Sequence, residues 1–315
     1  MGEFDLIRRY FQRPAAEGVE VGVGDDCAVL VPTPGARWLV SSDMLVEGRH
    51  FLSTVDPARL GHKALAVNLT DLAACGATPR GFTLALALPR VDEAWLAGFA
   101  RGLWALADAS GCPLIGGDTT QGPLNLCITV FGEAPPGQAL LRSGARVGDG
   151  IWVSGRLGDA RLALEVFRGK VATAALGGDG FETVRAAMEC PTPRLALGQA
   201  LRGIATAAAD VSDGLLGDLG HILVASGVGA RLNVDALPRS AVLAAQPAAL
   251  QRECLLAGGD DYELVFTAPA AAVLPDVGVA LTRIGTIEAE PGLRVVDAGG
   301  AAVEHGLRSF DHFKT

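Results

Sequence analysis

Gly81-Phe82-Thr83-Leu84-Ala85-Leu86-Ala87-Leu88 alternates strictly in side-chain size. Phe82, Leu84, Leu86 and Leu88 share one face and Thr83, Ala85 and Ala87 the other, which is the two-residue period of a strand. The small face is expected to lie under a helix. Helices are expected on both sides of this strand in the chain. Upstream, Asp56-Pro57 supplies a capping carboxylate and a residue suited to the first helical position. That helix runs to about Cys75, and Gly76 can end it in a left-handed conformation. Its apolar stripe includes Leu60, Ala64, Val67 and Leu72, while Asn68 and Asp71, three apart, share a polar face. Downstream, Asp92 caps a helix ending near Ser110-Gly111. Pro113–Ile115 then leads into Gly116-Gly117-Asp118-Thr119-Thr120, and Leu124–Phe131 is a further strand. With a first helix over about residues 3–12 and a strand over Trp38–Asp43, the first half alternates strand and helix.

Glu133–Ala139, with Pro135, Pro136 and Gly137, is the best linker candidate. Beyond it, strands are expected at Ile151–Ser154, 229–234, Tyr262–Thr267, Leu281–Glu288 and Leu293–Val296. Helices are expected at about 158–168, 194–208, 214–226 and 240–246. The fold class is α+β in two domains, 1–138 and 139–315.

The composition narrows the function. Half of the 315 residues are hydrophobic and 19% are charged, enough for sizeable cores and against a mainly disordered chain. The balance of 26 basic against 35 acidic residues gives a net charge of −9, and no basic block offers a nucleic-acid footprint. No nucleic-acid partner is expected. The start reads as an amphipathic helix rather than an export signal, and the apolar run from Gly81 to Pro89 is too short to span a bilayer. No membrane partner is expected either. Six cysteines without a CxxC pair read as free thiols of a reducing cytoplasm. Cys27 and Cys75 are expected as small core groups. Glycine is in excess, at 41 residues, in short clusters beside aspartates that suit tight turns and phosphate-binding loops.

Familiar nucleotide motifs are absent: there is no G-x-x-x-x-G-K-[ST] loop and no kinase H-R-D set. There is also no H-E-x-x-H or G-x-S-x-G, and the five histidines lack metal-ligand spacing. What recurs is aspartate after a loop or strand. Asp25-Asp26 follows Gly22 and Gly24, Asp43 ends a strand, and Asp71 sits on a helix face. Asp118 follows Gly116-Gly117, Asp210 and Asp213 bracket Ser212 ahead of a helix, and Asp260-Asp261 follows Gly258-Gly259. Carboxylates from separate elements can converge on Mg²⁺, which binds phosphate oxygens and offsets the charge of phosphoryl transfer. Each residue also has a plainer role. A Gly-Asp pair makes a turn, Asp210 can cap a helix, Asp71 and His50 can face solvent, and Arg142 can pair a surface acid.

At these loops the chain resembles the thiamine-monophosphate kinase family, of the superfamily that also holds aminoimidazole ribonucleotide synthetase and selenophosphate synthetase. The motifs that carry the resemblance run in order along nearly the whole chain. They are Gly22–Ala28, Asp43–Phe51, Gly61–Ala74, Gly116–Thr120, Asp210–Leu215, Gly258–Leu264 and the ending Asp311-His312-Phe313. The resemblance implies ATP-dependent phosphorylation of thiamine monophosphate to thiamine diphosphate by direct, in-line transfer with several Mg²⁺ ions. It also implies an N-terminal α+β domain that binds ATP and magnesium and pairs its sheet with that of a second copy into a barrel, and a C-terminal α/β domain.

Carried over by residue, Asp26, Ser41, Ser42, Asp43, Asp71, Asp118, Asp210 and Asp213 look like magnesium ligands, with Asp43, Asp118 and Asp210 nearest the chemistry. Gly117, Asp118, Arg142 and Ser212 look like ATP contacts. His50, Asp261 and Phe313 look like substrate contacts. Asp260 departs from the glutamate common in the family and takes no role. The competing functions are a related superfamily synthetase, a Mg-ATP sensor without turnover, and a structural protein whose Gly-Asp pairs are only turns.

Overall fold

The computed structural model describes residues 2–304 and 306–310. The chain forms two compact units. The first takes the chain to Leu72 and Ala77–Gly137; the second takes Ala73–Gly76 and the chain from Gln138 onward.

In the first unit, α1 (Glu3–Tyr10), β1 (Val19–Val21) and β2 (Val29–Leu30) precede β3 (Arg37–Val46), α2 (Pro57–Ala74) and β4 (Thr78–Leu88). Then come α3 (Glu93–Ser110), β5 (Leu114–Gln121) and β6 (Asn125–Ala134). The helix starts follow from the capping acids. Asp56 Oδ1 accepts the Ala58 and Arg59 N–H groups at 2.9 and 3.2 Å, and Asp92 Oδ1 accepts the Trp95 N–H at 3.0 Å. Four strands form one sheet in the order β3-β6-β4-β5, with only β4 and β5 parallel.

The alternating strand is β4, but it faces the other way from expectation. Phe82, Leu84, Leu86 and Leu88 are the buried face, while Ala85 is exposed. The α2 helix covers that large-residue face: a Cβ on Gly132 of β6 would lie 2.9 Å from Leu72. A helix layer removes more apolar area from water on four large side chains than on two alanines and a threonine, so burial sets the orientation. The small face is left open, and beside it β3 exposes Trp38, Val40 and Met44. Strand β4 also begins three residues before the alternation, because Thr78 and Pro79 pair with Glu133 and Gly132.

The second unit contains β7 (Gly150–Ser154), α4 (Asp159–Phe167), α5 (Gly180–Glu189), α6 (Leu195–Ala200), β8 (Ala207–Asp210), α7 (Leu215–Ser226) and β9 (Gly229–Asn233). It continues with α8 (Ala241–Ala244), α9 (Ala248–Ala257), β10 (Leu264–Ala268), β11 (Leu281–Glu288) and β12 (Gly292–Val296). Its six-stranded sheet has the order β12-β9-β11-β7-β10-β8. A helix over 194–208 is not formed. The α6 helix stops at Ala200, and Ala207–Asp210 pair with Leu264–Thr267 as a strand. Tertiary pairing overrides alanine's helix propensity there.

Cys27 is exposed and Cys75 half-buried, so neither is a fully buried core group; none of the six cysteines forms a disulfide. No helix among the described residues is long and apolar enough to cross a membrane.

Candidate functional site

In the first unit, β3 and α2 bring three of the expected residues to one spot. Ser41 and Asp43 alternate onto the covered face of β3. The Ser41 hydroxyl donates to Asp71 Oδ2 at 2.5 Å, and the Asp43 N–H donates to Asn68 Oδ1 at 3.0 Å. Asn68 is held in turn, its amide donating to Ala64 O at 3.0 Å. The polar face of α2, with residues three apart, thus meets alternate residues of β3. Ser42 points to the opposite, open face, where its hydroxyl bonds Thr129 Oγ1 at 2.9 Å. Asp26 lies in an exposed loop. His50 accepts the Val46 N–H on Nδ1 at 3.0 Å, which leaves the proton of a neutral ring on Nε2. Its carbonyl accepts from Lys63 Nζ at 3.3 Å; Lys63 is 2% exposed and escaped the sequence reading.

Gly117 and Asp118 sit on β5, at the sheet edge opposite β3. Asp43 pairs with Ile128, Ile128 with Leu84, and Leu84 with Gly117. Three strand spacings of about 4.8 Å separate Asp43 from the Gly117 row, roughly 14 Å in all. Asp118 is exposed on the open face, in the row of Ala85. A small pocket of about 40 Å³ adjoins Gly117 and Asp118 and includes Phe11, Val23 and Leu84. Gly117 has φ +147, and a Cβ there would meet Leu84 O at 2.0 Å. Only glycine brings the backbone past β4 in this way.

In the second unit, Asp210 ends β8 and the chain turns through Ser212 and Asp213 into α7. Asp218, one turn into α7, holds this loop. Its Oδ2 accepts the N–H groups of Ser212, Asp213 and Gly214 at 3.1, 3.2 and 3.1 Å. Burial, helped by the negative Asp213, raises the Asp218 carboxyl from 3.8 to about 7. The loop Gly258–Tyr262 braces it from another side. Asp260 N–H donates to Ser212 O and Tyr262 N–H to Val211 O, both at 2.8 Å. Asp260 and Tyr262 hold left-handed conformations, φ 66 and 51. Aspartate adopts that region more readily than most side chains. Asp260, without a role from sequence, thus serves through its backbone. Arg142 is exposed, and its carbonyl accepts from Ser226 Oγ at 3.2 Å.

Asp261 adjoins a cleft of about 310 Å³ that also includes Arg156, Asp159, Thr192, Arg194 and Glu263. Both its oxygens accept the Gly158 N–H, at 2.8 and 3.0 Å. The residue keeps some exposed surface, but its carboxyl is enclosed. That burial, with the negative Asp159, Glu263 and Asp260 nearby, holds it well above its ordinary value. Burial raises Asp159 as well. Arg194 forks onto Glu263, with Nε 2.7 Å from Oε2 and Nη2 2.5 Å from Oε1, and the Ser154 hydroxyl shares Oε2 at 2.5 Å. The pairing holds the Arg194 guanidinium above its ordinary value.

Asp159, Arg194, Glu263 and Asp218 were not singled out from sequence. Glu263 lies within the Gly258–Leu264 motif, and Asp218 is a lone acid in the apolar run Leu215–Leu223; both are features of the sequence that point to them. Phe313 lies outside the described residues.

Magnesium takes hard oxygen ligands, usually one or two carboxylates with substrate phosphate and water completing its shell. Asp43 and Asp71 with Ser41 in one unit, and Asp210 and Asp213 in the other, offer such donors. Among the described residues no three His, Cys, Asp or Glu side chains converge to hold an ion. The donor chemistry fits an ion shared with phosphate, not one caged by protein carboxylates within this single copy.

Comparison with known proteins agrees with this architecture. Residues 24–134 match the family model for the N-terminal domain of AIR synthase related protein, and 146–298 match the C-terminal domain. The thiamine-monophosphate kinase of Salmonella typhimurium is 46% identical over 324 aligned residues, covering 100% of this chain and 99% of that one. The crystal structure of thiamine-monophosphate kinase from Stenotrophomonas maltophilia superposes with a TM-score of 0.82 at 43% identity, covering 91% of this chain and 93% of that one. AaThiL complexed with AMPPCP and TMP superposes with a TM-score of 0.79 at 28% identity, covering 90% and 89%. The chain belongs to the AIR synthase related family and, within it, to the thiamine-monophosphate kinases.

Proposed function

We propose that this protein transfers the γ-phosphoryl group of ATP to thiamine monophosphate, giving ADP and thiamine diphosphate by direct in-line attack. The full-length 46% identity to a thiamine-monophosphate kinase carries the reading. A neighbour of the same fold complexed with AMPPCP and TMP supports it.

The acceptor is a phosphate oxygen. A phosphate monoester has a second pKa near 6, so the nucleophile is already ionised at neutral pH and no strong base is required. Catalysis then rests on alignment and on offsetting charge. Mg²⁺, when bound, supplies positive charge to phosphate oxygens. Asp26, Ser41, Ser42, Asp43, Asp71, Asp118, Asp210 and Asp213 are its proposed ligands. Gly117, Arg142 and Ser212 are proposed to contact ATP. His50, Asp261 and Phe313 are proposed to contact thiamine monophosphate. The Asp261 cleft offers that substrate hydrogen-bonding groups, since Asp261 and Asp159 are held toward their neutral forms beside Arg156 and Arg194.

The protein is proposed to work as a cytoplasmic homodimer. Its N-terminal domain, 1–138, would bind ATP and magnesium and pair with a second copy, and 139–315 would form the other domain. The open face of the four-stranded sheet exposes Trp38, Val40 and Met44, the apolar surface a second sheet would cover. Closing two such sheets into a barrel sets the strand of Asp43 beside the strand of Asp118 from the second copy.

A coupled assay for ADP tests the reading. ADP release that requires thiamine monophosphate is expected. Nucleotide binding without turnover would indicate a sensor instead. Asp43→Asn and Asp118→Asn should each lower turnover by about 10²-fold or more while far-ultraviolet circular dichroism stays unchanged. Near-wild-type rates for both at limiting Mg²⁺ would remove them from the site.

A further inference from the structure

The C-terminal part of the described chain is tied to the loop that opens α7. Phe310 N–H donates to Asp213 O at 3.1 Å, and the Ser309 hydroxyl donates to Gly214 O at 3.4 Å. Leu307 and Val303 anchor the segment on the core of the second unit, and Val303 N–H donates to Val295 O at 2.9 Å. Ser309 also lies against α7 itself. A Cβ on Gly217 would stand 2.7 Å from Ser309 Oγ and 2.8 Å from Ser309 Cβ. The Ser212–Gly214 loop is therefore held on three sides: its N–H groups by Asp218, Ser212 O by Asp260, and Asp213 O by Phe310.

We infer that Ser309–Phe310 is a positioning strap for the loop carrying Ser212 and Asp213, and that Gly217 is glycine so that the strap can dock. This rests on the proposed contacts of Ser212 with ATP and of Asp213 with magnesium. The strap touches neither reactant and acts through the Asp213 and Gly214 carbonyls. Two features make it separable from the fold. It lies outside every strand and helix. The surface it docks on is one helical position without a side chain.

Helix α7 supplies its own control. Gly217 and Gly220 both lie within it, and a Cβ on Gly220 would meet nothing within 4 Å. Gly217→Ala and Gly220→Ala therefore make the same gain in helix propensity, and only the first collides with the strap. Both atoms it meets belong to Ser309 beyond Cα, so Ser309→Gly in the Gly217→Ala background removes the collision. Phe310→Pro removes the N–H that reaches Asp213 O, by a route independent of Gly217.

The experiment measures steady-state kinetics of these full-length variants, together with hydrogen exchange at the Phe310 amide. The expected result has Gly220→Ala unchanged, and Gly217→Ala and Phe310→Pro lowered about tenfold in kcat/KM for ATP, a size that small misplacement of a reacting group produces. The Gly217→Ala/Ser309→Gly double variant should recover most of that loss. The Phe310 amide should exchange faster in Gly217→Ala than in Gly220→Ala. Recovery in the double variant is what a general loss of stability would not give. The strap is overturned if Gly217→Ala and Phe310→Pro both match Gly220→Ala in a wild-type background that is active. A wild type that releases no ADP in the presence of thiamine monophosphate overturns the proposed function instead, and the strap's role with it.

Discussion

Asp261 is a carboxyl group kept where ionisation is costly. Its surroundings are enclosed and negative, and one backbone N–H faces both oxygens. Its folded value lies well above the ordinary 3.8. The folded chain thus keeps a proton that the unfolded chain releases. The stability this contributes is fully present below the unfolded value and is lost as pH rises through the folded one. Asp159, raised by burial beside it, has the same sign. Asp261→Asn keeps an oxygen for Gly158 N–H and removes the charge. Its melting temperature, read by calorimetry, should rise relative to wild type as pH climbs above the ordinary carboxylate range. Its KM for thiamine monophosphate should rise over the same range if Asp261 contacts that substrate. A parallel stability profile for the two proteins would show that Asp261 is not held protonated. From sequence, Asp261 was visible as half of an Asp-Asp pair after two glycines. Its neighbours Asp159 and Arg194 were not, because they are remote in the chain and belong to no pattern.

Helices α2 and α3 pack through a missing side chain. A Cβ on Gly102 would stand 1.8 Å from Ala58 O, which lies in the first turn of α2. Backbone cannot yield as a flexible side chain can, so Gly102→Ala must push the helices apart. Overpacking of this kind costs roughly 1–3 kcal/mol, and more where backbone is the obstacle. The denaturation midpoint should fall accordingly, even though alanine favours the helix by about 1 kcal/mol. An unchanged or higher midpoint would show that the helices are not in such close contact.

The excess of glycine, read from sequence as turns and phosphate loops, is therefore partly a packing device. Elements with capping acids and a clear period were legible: α2, α3 and β4 begin or alternate as their residues dictate. Strand β8 was not. Ala207-Ala208-Ala209 has a helix former's composition and becomes a strand only because β10 pairs with it. Helix α9 was also passed over, since Pro247 and the short α8 before it obscure its start.

Among the described residues, the small-residue face of the four-stranded sheet exposes large apolar side chains. Val40 is 58% and Met44 55% exposed on it. Val40→Glu should convert the proposed dimer to monomers in light scattering, because a charge buried between two sheets is costly. Activity should fall with it. Subunit mixing tests the shared site more directly. If Asp43 of one copy works with Asp118 of the other, mixing inactive Asp43→Asn and Asp118→Asn proteins restores one intact site per mixed dimer. Activity should then approach a quarter of wild type at equal mixing, the statistical share when half the dimers are mixed and carry one site of two, roughly as isologous pairing demands. No recovery, with exchange of subunits shown independently, would place both aspartates in one copy's site.

The sequence by itself determined the family and the two-domain α+β class, because these reside in local motifs whose order along the chain is preserved. It also determined that Asn68 and Asp71 act from one helix face, since helical spacing is local geometry. Which face of β4 is buried, that Ser42 turns away from Ser41 and Asp43, that Asp218 ties down three amides and that Ser309 docks where Gly217 has no side chain were decided only by the tertiary structure. Burial, pairing and close approach depend on what arrives from elsewhere in the chain, and no local pattern encodes the arrival.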